Sequence, residues 1–188
     1  MNFREYAEML INVPYTDTLE YQMAFLWLHP EIVPLKVTSI GDLDSSIIKF
    51  PERAMNRYGR KVPVITFSSQ AFSGKSNITD IVLPQSIEQF PKGAFEGCTG
   101  LKRITVPRKI KIIREGTFAG CEQLEDIYYE GTMEEWNTVN IVHYKHEIEF
   151  GKLIPSTPVQ EVKAERILNV PGNEALFSAN IHFLCKLS

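Results

Sequence analysis

A constant step of 23 residues recurs in the sequence between positions 71 and 139. The segments 71–93, 94–116 and 117–139 align without a gap, and seven aligned columns hold either a glycine or a large apolar residue in every copy. Three of these columns are Phe72, Phe95 and Phe118; Gly74, Gly97 and Gly120; and Ile81, Ile104 and Ile127. A fixed period of this length is typical of solenoids, in which each repeat stacks its apolar face on its neighbours.

Each repeat contains the pattern of one strand and one turn. In the segments that end at Pro84 and Pro107, apolar residues alternate with polar ones around a central pair, as in a half-buried strand. The Ala-Phe-x-Gly motif predicts a single helical turn, whose phenylalanine enters the core and whose glycine adopts the left-handed conformation that ends the turn. The sequence therefore predicts a mixed α/β solenoid with a parallel ladder of strands and single-turn helices.

The motif Ala-Phe-x-Gly-Cys-x-x-Leu-x-x-Ile-x-x-Pro resembles the BspA-like, or Treponema-type, leucine-rich repeats of host-associated bacteria. Residues 96–101 and 119–124 carry the resemblance most clearly. It extends to residues 127–137, which look like the usual final repeat of that family, with Trp136 in place of an aliphatic residue. The resemblance implies a non-enzymatic module for protein interaction, and secreted members of the family are associated with adhesion to host proteins.

Less regular segments flank the three repeats. Residues 172–183 resemble the strand that follows the final repeat in the family, so residues 142–171 are interpreted as an insertion ahead of it. Upstream, residues 46–55 mirror residues 86–95 and are interpreted as a shortened repeat. The predicted solenoid covers residues 37–188, with regular repeats in 71–139, the insertion in 142–171 and the closing strand in 172–188.

Residues 1–36 are predicted to form a helical hairpin that caps the open end of the solenoid. Tyr6 and Leu10 fall on one face of a first helix. Asp17 and Glu20 have the spacing of a capping box, which predicts a second helix that runs to about position 28. Docking of this hairpin to a partner protein is the alternative interpretation.

Charge is distributed unevenly over the repeats. The middle repeat carries a net charge of +4, and the last repeat carries −6. The basic repeat suggests a site for nucleic acid or another anion, but the columns place opposite charges on adjacent repeats, as in Asp80, Arg103 and Asp126. Such pairs contribute about 0.2–1 kcal/mol each. Ion pairing between repeats is therefore the preferred interpretation, and anion binding is the alternative.

The middle residue of each predicted strand is expected on the open strand face of the solenoid. In the three repeats this column reads Val82, Thr105 and Tyr128, beside Arg103 and Asp126. Repeat proteins commonly bind partners on such a surface, and tyrosine combines a large contact area with a polar tip. These five residues form the predicted partner-binding site, with Tyr128 as its anchor. A merely solvated sheet face is the alternative.

Two motifs suggest chemistry but lack the rest of a site. Residues 73–76 read like the end of a phosphate-binding loop without its first glycine. His143 and His146, with His182, offer the alternative of a metal-dependent hydrolase in residues 142–182, but no third ligand has a recognisable spacing. No GxSxG motif is present. The sequence predicts no catalytic residue, no metal and no cofactor.

The three cysteines, Cys98, Cys121 and Cys185, lack the spacing of a metal site. Cys98 and Cys121 occupy equivalent positions of adjacent repeats, so their Cα atoms are expected about 5 Å apart, which is the spacing of neighbouring strands. That distance is compatible with a disulfide. Buried, reduced thiols are the preferred interpretation.

The composition is that of an ordinary folded protein, with 44% hydrophobic residues, 23% charged residues and a net charge of −3. This balance does not favour nucleic acid or an anionic membrane, so a protein is the expected partner; the oligomeric state is not predicted. No stretch approaches the roughly 18 apolar residues of a membrane span, and no secretory signal follows Met1. If Met1 is the native start, the cytoplasm is the expected location; if preceding residues have been removed, it is the cell surface or the exterior.

Overall fold

The computed structural model describes residues 1–10, 13–17, 19–23, 34–41, 45–69, 71–142 and 172–183. Three helices and twelve strands occur in these residues. In chain order they are α1 (Phe3–Leu10), β1 (Glu20–Met23), β2 (Leu35–Ser39), β3 (Ile47–Lys49), β4 (Arg53–Met55), β5 (Lys61–Phe67), β6 (Asp80–Val82), β7 (Gln89–Phe90), β8 (Arg103–Val106), β9 (Ile112–Arg114), β10 (Asp126–Tyr129), α2 (Met133–Trp136), β11 (Asn140–Val142), α3 (Glu174–Ser178) and β12 (Asn180–Phe183).

Five strands form a parallel sheet in the order β12-β10-β8-β6-β3. Its register reproduces the 23-residue step, because Asp80 pairs with Arg103 and Arg103 pairs with Asp126. The predicted parallel ladder is confirmed. β12 extends this ladder, with Asn180 opposite Asp126, and it lies within the segment interpreted as the closing strand.

A second parallel ladder has the order β11-β9-β7. The first two repeats thus contribute two strands each where the sequence predicts one, and β11 directly follows the third repeat. Ile113 of β9 pairs with Phe90 on one side and with Ile141 on the other. The sequence predicts Trp136 at the position next to Ile113, but Ile141 lies there. A capping box at Thr132 adds the helical turn α2 ahead of β11 and so displaces this position along the chain. Trp136 packs instead against Tyr129, with ring centroids 5.0 Å apart.

The three phenylalanines of the repeat form a continuous stack in the core. Ring centroids are 5.0 Å apart between Phe72 and Phe95, and 5.4 Å apart between Phe95 and Phe118. All three side chains are buried. This stack confirms that equivalent side chains of adjacent repeats meet.

The Ala-Phe-x-Gly motif forms a hydrogen-bonded turn rather than a turn of α-helix. In the middle repeat the Cys98 amide donates to the Phe95 carbonyl oxygen, three residues earlier, at 3.1 Å. Gly97 has φ of 73°, the left-handed conformation that the motif predicts. A Cβ atom at Gly97 would lie 3.3 Å from the amide nitrogen of Gly74, so this glycine also allows the turns to stack closely.

Cys98 and Cys121 are free and buried beside these turns. The Cys98 thiol donates to the Phe72 carbonyl oxygen at 3.1 Å, and the Cys121 thiol donates to the Phe95 carbonyl oxygen at 3.2 Å. Burial raises the pKa of each thiol to about 12. The predicted burial is confirmed for these two cysteines, which are free thiols in the structure, whereas Cys185 lies outside the described residues.

The prediction of a second helix in the N-terminal hairpin is wrong for the residues that the structure describes. Residues 20–23 form β1, which pairs antiparallel with β2 in a four-stranded sheet of order β1-β2-β5-β4. Buried Leu19, exposed Glu20 and half-buried Tyr21 also fit the two-residue period of a strand. Pairing with β2 satisfies more backbone groups than a local capping box does. Positions 24–28 of the predicted helix are not described.

Within residues 46–55, β3 joins the main sheet in a register that differs from the predicted one, whereas β4 pairs with β5 in the four-stranded sheet. Since β3 pairs with β6, Ile48 lies beside Ile81, and Ile47 does not take the place equivalent to Ile87. Phe67 of β5 packs against the phenylalanine stack from this end of the chain, with its ring centroid 5.4 Å from that of Phe72. No helix in the described ranges is long and apolar enough to cross a bilayer.

Candidate functional site

The five predicted site residues lie together on adjacent strands of the main sheet. Val82, Thr105 and Tyr128 are register neighbours on β6, β8 and β10, and Arg103 and Asp126 are register neighbours two positions earlier. We call these five residues the strand face. The structure therefore brings the predicted column together, but it does not leave the column open.

The strand face is covered by α1. Tyr6 stacks on Tyr128, with ring centroids 4.0 Å apart and an interplanar angle of 16°, and the Tyr6 hydroxyl donates to Asp80 Oδ1 at 3.1 Å. Tyr128 is 0% exposed and Thr105 is 5% exposed. The expectation of an open face is wrong, because a short amphipathic helix buries its apolar side chains there.

Residues 1–10 cross the strand face from β10 to β3. At β10 the Tyr128 hydroxyl donates to the Met1 carbonyl oxygen at 3.0 Å. At β3 the Lys49 ammonium donates to the Leu10 carbonyl oxygen at 3.0 Å, which satisfies the carbonyl end of α1. Residues 1–17 are called the N-terminal segment below; positions 11 and 12 of it lie outside the described ranges.

The helix α1 is specified by its own sequence. The Glu5 amide donates to Asn2 Oδ1 at 2.9 Å, and the Asn2 amide donates to Glu5 Oε2 at 3.0 Å, so a capping box begins the helix. Tyr6 and Leu10, one helical turn apart, are both buried. This helix and its apolar face were predicted from the sequence, whereas the docking of these two residues on the strand face was not. Hydrophobic periodicity shows that a face is buried, not what buries it.

Asp80 is the buried charge at the centre of this contact. It accepts hydrogen bonds from Thr79 Oγ1 at 2.6 Å and from Arg103 Nε at 2.5 Å and Nη2 at 3.0 Å, in addition to the one from Tyr6. The hydrogen bond to Asp80 raises the pKa of Arg103. Burial, followed by the nearby Asp80 carboxylate, raises the pKa of Tyr6. Tyr6 therefore stays protonated and remains a hydrogen-bond donor to Asp80.

Asp126, at the other end of the predicted charge column, interacts with His182 of β12. The distance from His182 Nε2 to Asp126 Oδ1 is 2.8 Å. The His182 ring also stacks on Tyr128, with ring centroids 4.8 Å apart and an interplanar angle of 16°. Burial, with a further contribution from Asp126, raises the pKa of Tyr128 to about 12. His182, which the sequence suggests only as part of a metal site, is half-buried and completes a stack of three rings with Tyr6 and Tyr128.

The other residues of the metal-site alternative, His143 and His146, lie outside the described residues. Within the part of the chain that the structure describes, no three His, Cys, Asp or Glu side chains are grouped to hold a metal ion. An open groove of about 340 Å³ lies beside α3 and is lined in part by Phe118, Cys121 and Leu124. Because burial raises the pKa of Cys121 to about 12, its thiol is a poor nucleophile.

Three cations of the middle repeat form ion pairs with the neighbouring repeats. Lys111 Nζ lies 2.8 Å from Glu88 Oε2, and Arg108 Nε lies 2.8 Å from Glu135 Oε1. Together with the pair between Arg103 and Asp80, these contacts confirm inter-repeat ion pairing at three positions. They also neutralise much of the charge on which the anion-binding alternative depends.

Comparisons with known proteins address the repeat and the fold separately. A family profile described as a BspA type leucine-rich repeat region of six copies matches residues 60–143. Residues 60–143 therefore carry BspA-type leucine-rich repeats, as the sequence motif predicts. None of the curated proteins matches the sequence.

Solved structures of leucine-rich repeat proteins resemble this chain. One from Bacteroides capillosus is 15% identical, with a TM-score of 0.58 and coverage of 92% of this chain and 98% of that chain. One from T. pallidum is 22% identical over 64% of this chain with a TM-score of 0.49, and one from Bacteroides ovatus is 24% identical over 63% with a TM-score of 0.48. This chain spans 55% of the T. pallidum chain and 32% of the B. ovatus chain. The likeness to the Bacteroides capillosus protein shows the fold alone.

A basic hairpin beside the regular repeats was not predicted. Residues 53–61 contain four basic residues in nine positions and no acidic one. This run of basic residues is visible in the sequence, but it lies outside the regular repeats, whose aligned columns reveal the uneven charge.

Proposed function

We propose that this protein is a non-enzymatic protein-interaction module that binds a helical segment of its partner on the strand face. The observation that carries the proposal is that this face already holds a helix, α1, through the contacts of Tyr6 with Tyr128 and Asp80. The proposed partner site consists of Val82, Arg103, Thr105, Asp126 and Tyr128, together with Asp80.

The chemistry of the strand face favours an amphipathic helix that carries a tyrosine. The Tyr128 ring provides a flat apolar support for a second ring. Asp80 accepts the hydroxyl proton, so phenylalanine in place of tyrosine would leave this buried carboxylate with one donor fewer. Leu10 makes the second apolar contact one turn later. A tyrosine followed four residues later by leucine is therefore the pattern we expect in a partner helix.

The side chains that could perform chemistry at this face are held in packing contacts, which supports interaction rather than catalysis. Asp80 is bonded to Thr79, Arg103 and Tyr6. His182 is held by Asp126 and lies flat on the Tyr128 ring. The leucine-rich repeat family supports the same interpretation, since solenoids present extended surfaces for protein contacts.

A partner helix must compete with α1 for the face. Because the N-terminal segment is tethered to the same chain, its effective concentration at the face is on the order of millimolar. A free helix is therefore expected to bind the wild-type protein weakly and to bind more tightly once α1 is detached.

A fluorescein-labelled peptide with the sequence of residues 1–17 tests the proposal, with fluorescence anisotropy measured against the full chain. Substituting Tyr6→Ala and Leu10→Ala together removes the two buried anchors of α1, and this opened variant should bind the peptide at least tenfold more tightly than the wild type. Met9→Ala changes a side chain of the same helix that is 39% exposed. This matched control should bind the peptide as weakly as the wild type does.

Adding Tyr128→Ala to the opened variant should abolish peptide binding, because it removes the ring on which Tyr6 stacks. The proposal fails if the opened variant keeps a native circular dichroism spectrum but does not bind the peptide. It also fails if the Tyr128→Ala addition leaves the affinity unchanged.

A further inference from the structure

The strands β4 and β5 form a hairpin at residues 53–61 whose loop is ordered. Met55 pairs with Lys61 at the end of the ladder. The buried Asn56 holds the loop, since its Oδ1 accepts hydrogen bonds from the amides of Tyr58 at 2.9 Å and Arg60 at 3.1 Å. The side chains of this loop are therefore presented on a preorganised backbone.

The hairpin carries positive charge that the described part of the protein leaves unneutralised. Its four basic residues, Arg53, Arg57, Arg60 and Lys61, are all exposed. In the described ranges none of them forms an ion pair with a carboxylate, in contrast to Arg103, Arg108 and Lys111 of the middle repeat. Glu52, which directly precedes the hairpin, accepts a hydrogen bond from the Gln85 amide at 2.7 Å instead.

Two large apolar side chains are exposed among these cations. Met55 is 56% exposed and Tyr58 is 45% exposed. The Arg57 guanidinium lies 4.9 Å from the centre of the Tyr58 ring and donates to its hydroxyl at 2.7 Å, which holds the ring in place. Arginine, tyrosine and methionine are residue types enriched in protein interfaces. The composition of the patch thus fits contact with another protein.

We infer that the β4–β5 hairpin is a second interaction surface and that it binds an acidic segment of a partner protein. Guanidinium groups bind carboxylates through paired hydrogen bonds, and the exposed Tyr58 and Met55 add apolar contact area around them. This surface is separate from the strand face and does not depend on the function proposed there.

The overall charge of the chain favours a short acidic segment over an extended polyanion. The whole chain carries −3, so the residues outside the hairpin carry −7 once its four cations are set aside. A nucleic acid or an anionic membrane would extend beyond the hairpin and meet this negative charge, whereas an acidic peptide contacts the hairpin alone.

The test uses a fluorescein-labelled peptide of four Glu-Glu-Leu units and the full-length protein at low salt. The wild type should bind it, and the substitutions Arg57→Glu and Arg60→Glu together should weaken binding more than tenfold. A matched control makes the same charge change in the middle repeat, with Lys102→Glu and Lys109→Glu, and should retain the affinity within about threefold. Circular dichroism and the urea midpoint show that both double variants fold.

Two further arms separate the classes of partner. A single-stranded oligothymidylate of matched charge and vesicles containing phosphatidylserine should each bind more weakly than the peptide. Tyr58→Ala should weaken peptide binding severalfold without changing the net charge. The inference is overturned if both double variants lose affinity equally, if the wild type does not bind the peptide, or if the hairpin prefers the oligonucleotide or the vesicles.

Discussion

Phe95 is the best test of the stacked core, because it has the most aromatic neighbours in its repeat column. Its ring centroid lies 5.0 Å from Phe72, 5.4 Å from Phe118, and 5.5 Å from both Phe67 and Phe90. Phe95 is fully buried. Phe95→Ala therefore removes a ring that joins all three repeats to β5 of the four-stranded sheet.

The loss of stability expected for Phe95→Ala follows from the burial of the side chain and from its ring contacts. Removing a buried phenylalanine side chain costs about 3–5 kcal/mol. Aromatic pairs contribute about 0.5–1.5 kcal/mol each beyond burial, and four such pairs place Phe95→Ala near the upper end, at about 4–5 kcal/mol. Phe95→Leu keeps most of the volume and should cost about 1–2 kcal/mol.

Urea unfolding followed by far-ultraviolet circular dichroism measures both losses as changes in the free energy of unfolding. Tyr58→Ala, on the exposed hairpin, provides the control and should change it by less than about 0.5 kcal/mol. A loss below about 1 kcal/mol for Phe95→Ala would refute the reasoning, because it would mean that the stacked rings do not hold adjacent repeats together.

Two further predictions concern ionisable groups. Glu130 Oε2 is buried without a hydrogen-bond partner in the described ranges, and burial, followed by the nearby Glu52, raises the pKa of Glu130 from 4.5 to about 7. The pKa of Glu130 is higher in the folded protein than in the unfolded chain. The contribution of Glu130 to stability is therefore fully present below about pH 4.5 and is lost as the pH rises through about 7. Glu130→Gln should therefore stabilise the protein by about 2 kcal/mol at pH 8 and change it little at pH 4.5; equal effects in urea titrations at the two pH values would contradict this. In a Cys185→Ser variant, Cys98 and Cys121 should react with a chromogenic thiol reagent only as fast as the protein unfolds, because burial and a pKa of about 12 leave almost no accessible thiolate; rapid labelling of the folded protein would argue against it.

The regular repeats could be predicted because stacking gives each column the same surroundings in every copy. Phe72, Phe95 and Phe118 enter one core, so a constant step along the sequence becomes a contact in space. The second ladder, β7-β9-β11, was not predicted, because strands of two or three residues are too short to show alternation.

Tertiary pairing decided the structure of residues 20–23. The capping-box spacing of Asp17 and Glu20 favours a helix locally. In the folded protein the same residues pair with β2, whose edge offers backbone donors and acceptors that a helix at this place would leave unpaired. No local signal reports the position of that edge, since residues 34–39 are distant in sequence.

The sequence alone predicted the features that depend on a neighbour one repeat away. These are the spacing of the strands, the left-handed glycines and the pair of Arg103 with Asp80. The position of α1 was not predicted, because its contact joins Tyr6 to Asp80, 74 positions along the chain. An amphipathic pattern states that one side of a helix must leave water, and only the folded core shows which surface receives it. That docking turns the expected open binding surface into an occupied one.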